Sequence, residues 1–120
     1  MTVTLKPRAA SLTIAIEQGA DFGPYLPWKD SAGNYFDLSG YTAASLEAYN
    51  SAGVKVIDLT LANGGIVLGT GSTNIQLIMT DTATAALDFD QAVYDLTLTD
   101  AAGDVRRLLE GTIILDRSAI

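Results

Sequence analysis

The sequence predicts an all-β sandwich, on three observations. Clusters of turn-forming residues recur every 10 to 15 residues along the 120-residue chain with no long helical period between them, the pattern of an antiparallel two-layer fold. The stretches between them alternate apolar with polar side chains, most clearly at Tyr94, Leu96 and Leu98 against Asp95, Thr97 and Thr99. Each strand then has one dry and one wet face, and the dry face must meet a second layer. Just upstream, Asp90, Ala92 and Tyr94 spell DxAxY, the spacing at which a sandwich chain turns a corner into a strand and a tyrosine hydroxyl bonds back to upstream backbone.

That corner makes the predicted sandwich immunoglobulin-like, antiparallel and of about seven strands, with a short helical turn between the strands in positions E and F. Antibody-type domains place a cysteine two residues after this tyrosine. Here the position is Leu96, so apolar packing stands in for the disulfide and antibody-type kinship is not implied. Tyr94 and Asp90 are structural residues on this reading.

The domain is expected over residues 11–117, preceded by an N-terminal arm over residues 1–10. In the arm, Thr2-Val3-Thr4-Leu5 can form a short strand before Pro7 interrupts pairing. Lys6 and Arg8 are two of the seven basic residues of an acidic chain, which makes them candidates for contact with a neighbouring subunit; a frayed terminus is the alternative. Leu12-Thr13-Ile14-Ala15-Ile16-Glu17 is the first strand of the body, ended by Gln18-Gly19-Ala20-Asp21. Pro24 and Pro27 confine the run after Phe22 to an edge strand or a bulged one. Trp28, the only tryptophan, is read as a structural plug between the sheets, with a surface anchor in an interface as the alternative.

Asp30-Ser31-Ala32-Gly33-Asn34 is a hairpin turn and Asp37-Leu38-Ser39-Gly40-Tyr41 a second tight corner. Residues 42–50 put Ala44, Leu46 and Ala48 on one face and Ser45, Glu47 and Tyr49 on the other, and Ser51-Ala52-Gly53 returns the chain into residues 54–61 as a hairpin. Ile66-Val67-Leu68 is a brief strand between glycine-rich loops. A phosphate cradle needs a following helix or lysine, which neither loop has, so both loops read as turns. Ile75, Leu77 and Met79 point inward from the next strand, and Thr80 caps one or two helical turns that end by Leu87. After the Tyr94 strand, residues 100–104 turn the chain into a last strand over residues 105–115. There the shared parity of Val105, Leu109, Ile113 and Leu115 would turn Arg107 inward, which a place at the sheet rim or a bulge near Arg106 resolves. Arg106 and Arg107 are candidates for contact with an acidic partner, or else a solvated edge.

Composition narrows the chemistry. With 48% hydrophobic and 18% charged residues, one domain can build its own core. The chain has no cysteine and no histidine, which removes disulfides, thiolate metal sites, the commonest general base and the commonest zinc ligand. A net charge of −7 opposes nucleic acid and anionic membrane, and no apolar run is long enough to span a bilayer. Asp88, Asp90, Asp95, Asp100 and Asp104 do not match the spacing of a calcium loop. A glycosidase pair has no aromatic groove suggested by the nine aromatics, and the serines have neither a histidine base nor a GxSxG turn. No catalytic, cofactor or metal residue is assigned, no cofactor is expected, and an enzyme is not expected.

Read as a whole, Leu12 to Phe22, Trp28-Lys29-Asp30-Ser31-Ala32-Gly33-Asn34, Asp37 to Thr42, Asn63-Gly64-Gly65-Ile66, Tyr94-Asp95-Leu96-Thr97-Leu98 and Arg107-Leu108-Leu109-Glu110-Gly111-Thr112 resemble small proteins of bacteriophage and prophage structural modules. The chain looks like the immunoglobulin-like domain at the N-terminus of phage baseplate upper proteins, over nearly its whole length. That resemblance implies a virion component, made in the host cytoplasm, that docks on other virion proteins or on copies of itself: a tail or baseplate adaptor, or a capsid decoration protein. The family's usual continuation into a fibre or receptor-binding region is not expected here. Strand edges and the arm are the expected contact surfaces. The alternative is a carbohydrate or cell-surface binding module in which Tyr25, Trp28, Tyr35 or Tyr49 stacks on sugars.

Overall fold

A computed structural model describes residues 10–30 and 32–117. Strands β1 (Ala10–Ser11), β2 (Ile14–Glu17), β3 (Ala43–Tyr49), β4 (Lys55–Thr60), β5 (Ile66–Leu68), β6 (Ile75–Leu77), β7 (Gln91–Thr99) and β8 (Val105–Asp116) are accompanied by a short helix, α1 (Asp81–Ala85), between β6 and β7. The larger sheet runs β1-β8-β7-β3-β4, with β2 also on β8, and the smaller sheet pairs β5 with β6. The Pro24 segment lies along the other side of β6 through bridges Phe22–Met79 and Tyr25–Gln76. The two layers form an all-β sandwich.

One sequence expectation is corrected: the sandwich is not wholly antiparallel. Both β1 and β2 pair in parallel with β8. The reason lies in connectivity, because the chain leaves β2 by crossing to the smaller sheet and so does not return by a hairpin.

Alternation sorts the side chains into the core. Ala44, Leu46 and Ala48 of β3, Ala92, Tyr94, Leu96 and Leu98 of β7, and Ile113 and Leu115 of β8 are buried against Ile66, Ile75, Leu77 and Met79 from the opposite layer. Trp28 is half-buried at the margin of this core, its ring 4.1 Å from that of Phe36. Two fully buried polar side chains tie loops to the layers. Asn74 accepts from Trp28 N at 2.9 Å and donates to the carbonyls of Trp28 (2.9 Å) and Phe36 (3.0 Å). The Thr84 hydroxyl accepts from Gly19 N at 3.1 Å and lies 2.8 Å from the Ala20 carbonyl it can donate to, and Thr80 caps α1 by accepting from Ala83 N.

Three hairpins share one loop chemistry: Asp30, Asn50 and Asp100 each accept, through Oδ1, from the amides two and four residues on. The residue three on is Gly33, Gly53 or Gly103, with φ of 88°, 79° and 88°, a conformation only glycine adopts without strain.

Tyr94 is buried and its hydroxyl donates to the Leu12 carbonyl at 2.7 Å. The partner is upstream backbone, but it lies between β1 and β2 and not at the entry to β7. Asp90 contributes no side-chain bond to Tyr94; it faces solvent 3.7 Å from Arg117, and its carbonyl accepts from Leu115 N. Gly111 makes the Tyr94 bond possible. It pairs with Tyr94 across the strands, and a Cβ there would overlap the Leu12 carbonyl oxygen.

Candidate interaction surface

The outer face of the larger sheet carries the polar half of every alternation, and the register lines those residues up. Asp58 of β4 faces Glu47 of β3, Glu47 faces Asp95 of β7, and Asp95 faces Glu110 of β8. Four carboxylates therefore cross four neighbouring strands at the roughly 4.8 Å strand spacing, a juxtaposition that opposes folding unless cations intervene. Two do. Lys55 Nζ lies 3.0 Å from Glu47 and 3.4 Å from Asp58, and Arg107 lies 3.8 Å from Asp95 and 3.9 Å from Glu110. The Lys55 ammonium is held protonated to higher pH than usual, first by its hydrogen bonds to Glu47 and Asp58 and then by their charge.

Next to the acidic row the face turns apolar. Tyr49 pairs with Val93, Val93 with Thr112, and Gln91 with Ile114. Val93 is 62% exposed, Ile114 39% and Tyr49 38%. On the other flank of the row stands Arg107, opposite Thr97. Its outward position comes from a bulge: the pairing jumps from Leu96–Leu109 to Thr97–Arg107, so Leu108 is the extra residue. The parity conflict seen in the sequence is thus resolved at Leu108, two residues beyond Arg106. Arg106 is exposed opposite Leu98, and Lys6 and Arg8 lie outside the described residues.

Two of the sheet margins are guarded. At the β4 edge, the register shifts beside Tyr49 so that Val56 bulges, next to the edge lysine Lys55. On the Pro24 segment, Pro24 meets β6 only as an acceptor from Leu77 N, and Pro27, next to the paired Leu26, has no donor to offer a further strand. Bulges, edge lysines and prolines are the devices that stop strands from adding at an edge.

The tyrosines considered for sugar stacking are dispersed. Tyr25 lines a shallow groove with Leu12, Leu108 and Leu109, Tyr49 lines a depression with Val93 and Thr112, and Tyr35 sits under the Lys29 ammonium at 4.9 Å. The buried Tyr94 phenol, pushed up to about 12 by desolvation, is held neutral in its role as a donor. Among the described residues no group of three acidic side chains is arranged to hold a metal ion, and no helix is long and apolar enough to cross a membrane.

Sequence reading placed Glu47 and Tyr49 on the wet face of their strand but missed the row as a whole. The signal that could have found it is cross-strand register, which no single segment contains. No protein-family model and no curated protein matches the chain.

Proposed function

We propose that the protein is a non-enzymatic structural protein of a bacteriophage virion, a tail or baseplate adaptor or a capsid decoration protein, that works by protein–protein assembly. The observation that carries the assembly role is the outer face of the larger sheet, where an exposed apolar cluster of Tyr49, Val93 and Ile114 borders a row of four carboxylates. Exposed apolar surface rimmed by charge is the composition of a docking site, and the β4 edge and the Pro24 segment carry devices that disfavour strand addition there. The virion setting is supported by the resemblance of the turn and strand segments to phage structural-module proteins, and a β-sandwich is the fold that resemblance implies.

The test is to purify phage particles encoding the chain and quantify it by mass spectrometry against the major virion proteins. A fixed copy number per particle that survives gradient purification is expected. Presence only in the soluble lysate overturns the reading.

A further inference from the structure

We propose that Asn63 is a self-modification site: with Gly64 it closes to a succinimide and reopens as aspartate or isoaspartate, and the product unseats the crossing from β4 to β5. The chain has four asparagines, followed by Tyr35, Ser51, Gly64 and Ile75. Ring closure needs the next backbone nitrogen to reach the side-chain carbon, and only glycine brings no Cβ to obstruct that approach. Asn63 is therefore the reactive one, and it is exposed together with Ala62 and Gly64.

The step needs no co-reactant but water. Gly64 N attacks Asn63 Cγ; the N–Cγ bond forms, the Cγ–Nδ2 bond breaks, and Nδ2 leaves as ammonia with the proton of the Gly64 amide. Water then breaks either imide bond. Opening at Cγ leaves an aspartate, and opening at the main-chain carbonyl leaves isoaspartate, whose backbone runs through the former side chain. Both carry a carboxylate and neither has the Nδ2 donor.

The loop's hydrogen bonds control when this happens. Asn63 Oδ1 accepts from Thr60 N and Gly65 N, each at 2.9 Å, and Nδ2 donates to the Asp58 carbonyl at 3.0 Å. Gly64 N donates to the Leu61 carbonyl at 3.4 Å. The nitrogen and the carbon that must meet are thus held to different partners, so closure waits for the loop to open. Opening residues 62–64 breaks exposed hydrogen bonds and moves no buried side chain, so it occurs far more often than global unfolding.

The product cannot rebuild the loop. With Nδ2 gone, an oxygen faces the Asp58 carbonyl, acceptor against acceptor. The same side chain seats Gly65, where an added Cβ would lie 2.8 Å from Leu59 and 2.9 Å from Asn63 Oδ1. Gly65 in turn accepts from Ile78 N at 2.8 Å, so the change falls where the chain passes from the larger sheet to the smaller.

The experiment uses the full chain, incubated at mildly alkaline pH and sampled over time by peptide mass mapping and isoaspartyl methylation. Product should accumulate at Asn63 at least about tenfold faster than at Asn34, Asn50 or Asn74. The rate should stay nearly flat in urea below the unfolding transition, because local opening exposes little surface, and rise through it. Asn63→Asp, which mimics one product, should lower the urea midpoint and speed hydrogen exchange at the Gly65 and Ile78 amides. Modification spread evenly over the four asparagines, or reaching Asn63 only in step with global unfolding, overturns the site. An Asn63→Asp chain with an unchanged midpoint and unchanged exchange overturns the loosening of the crossing.

Discussion

Replacing Tyr94 with phenylalanine removes one hydroxyl and leaves the buried ring in place, so it isolates the bond to the Leu12 carbonyl at 2.7 Å. An orphaned acceptor costs about 1–3 kcal/mol. The Leu12 carbonyl packs on Gly111, and a loss of about 1.5 kcal/mol, within that range, is expected at pH 8. A second consequence follows from the phenol's pKa, raised by burial to about 12 from an unfolded value near 10.

Because the folded value is the higher one, this contribution to stability is complete below pH 10 and is lost as pH climbs toward 12. Between those values the unfolded chain has released a proton that the folded chain retains, so stability falls with pH. At pH 11 the populations differ by a factor of about 10, or about 1.4 kcal/mol. The Tyr94→Phe variant carries no such term. Urea denaturation of both proteins should therefore show a gap of about 1.5 kcal/mol at pH 8 that nearly closes at pH 11. A gap that stays constant across this range, or is absent at pH 8, refutes the argument that a buried phenol ties β7 to the first strands.

Other outcomes follow from the same packing. Gly111→Ala places a methyl on the Leu12 carbonyl and should cost about 2–3 kcal/mol; combined with Tyr94→Phe the losses should be less than additive, since both break the same contact, and strict additivity in a double-mutant cycle speaks against it. Asn74→Ala leaves Trp28 N and the Phe36 carbonyl without their side-chain partner, with an expected loss of about 3 kcal/mol and a red shift of Trp28 emission; an unshifted spectrum disconnects Asn74 from the Trp28–Phe36 stack. Gly53→Ala forces a residue with a Cβ into φ 79° and should lower stability by about 1 kcal/mol, measured by thermal unfolding, whereas Gly40→Ala, where a Cβ meets open space, should change it little.

Much of the fold was legible because strand period and turn chemistry are local. The inward faces of Ala44-Leu46-Ala48, of Ile75-Leu77-Met79 and of Tyr94-Leu96-Leu98 follow from a two-residue repeat, and the capped helix after Thr80 from a hydroxyl followed by alanines. The three hairpin loops, DSAGN, NSAGV and DAAGD, were each readable as turns. Their common bonding from one Asp or Asn explains why the same chemistry recurs.

What the amino-acid order determined by itself was therefore which segments become strands, which side of each is dry, and that no histidine or cysteine chemistry is available. Only the tertiary structure decided that β1 and β2 run parallel to β8, that Tyr94 reaches Leu12 over Gly111, and that Asp58, Glu47, Asp95 and Glu110 align. These depend on register between strands up to about 100 residues apart, and register is set by how the dry faces of distant segments interlock in one core.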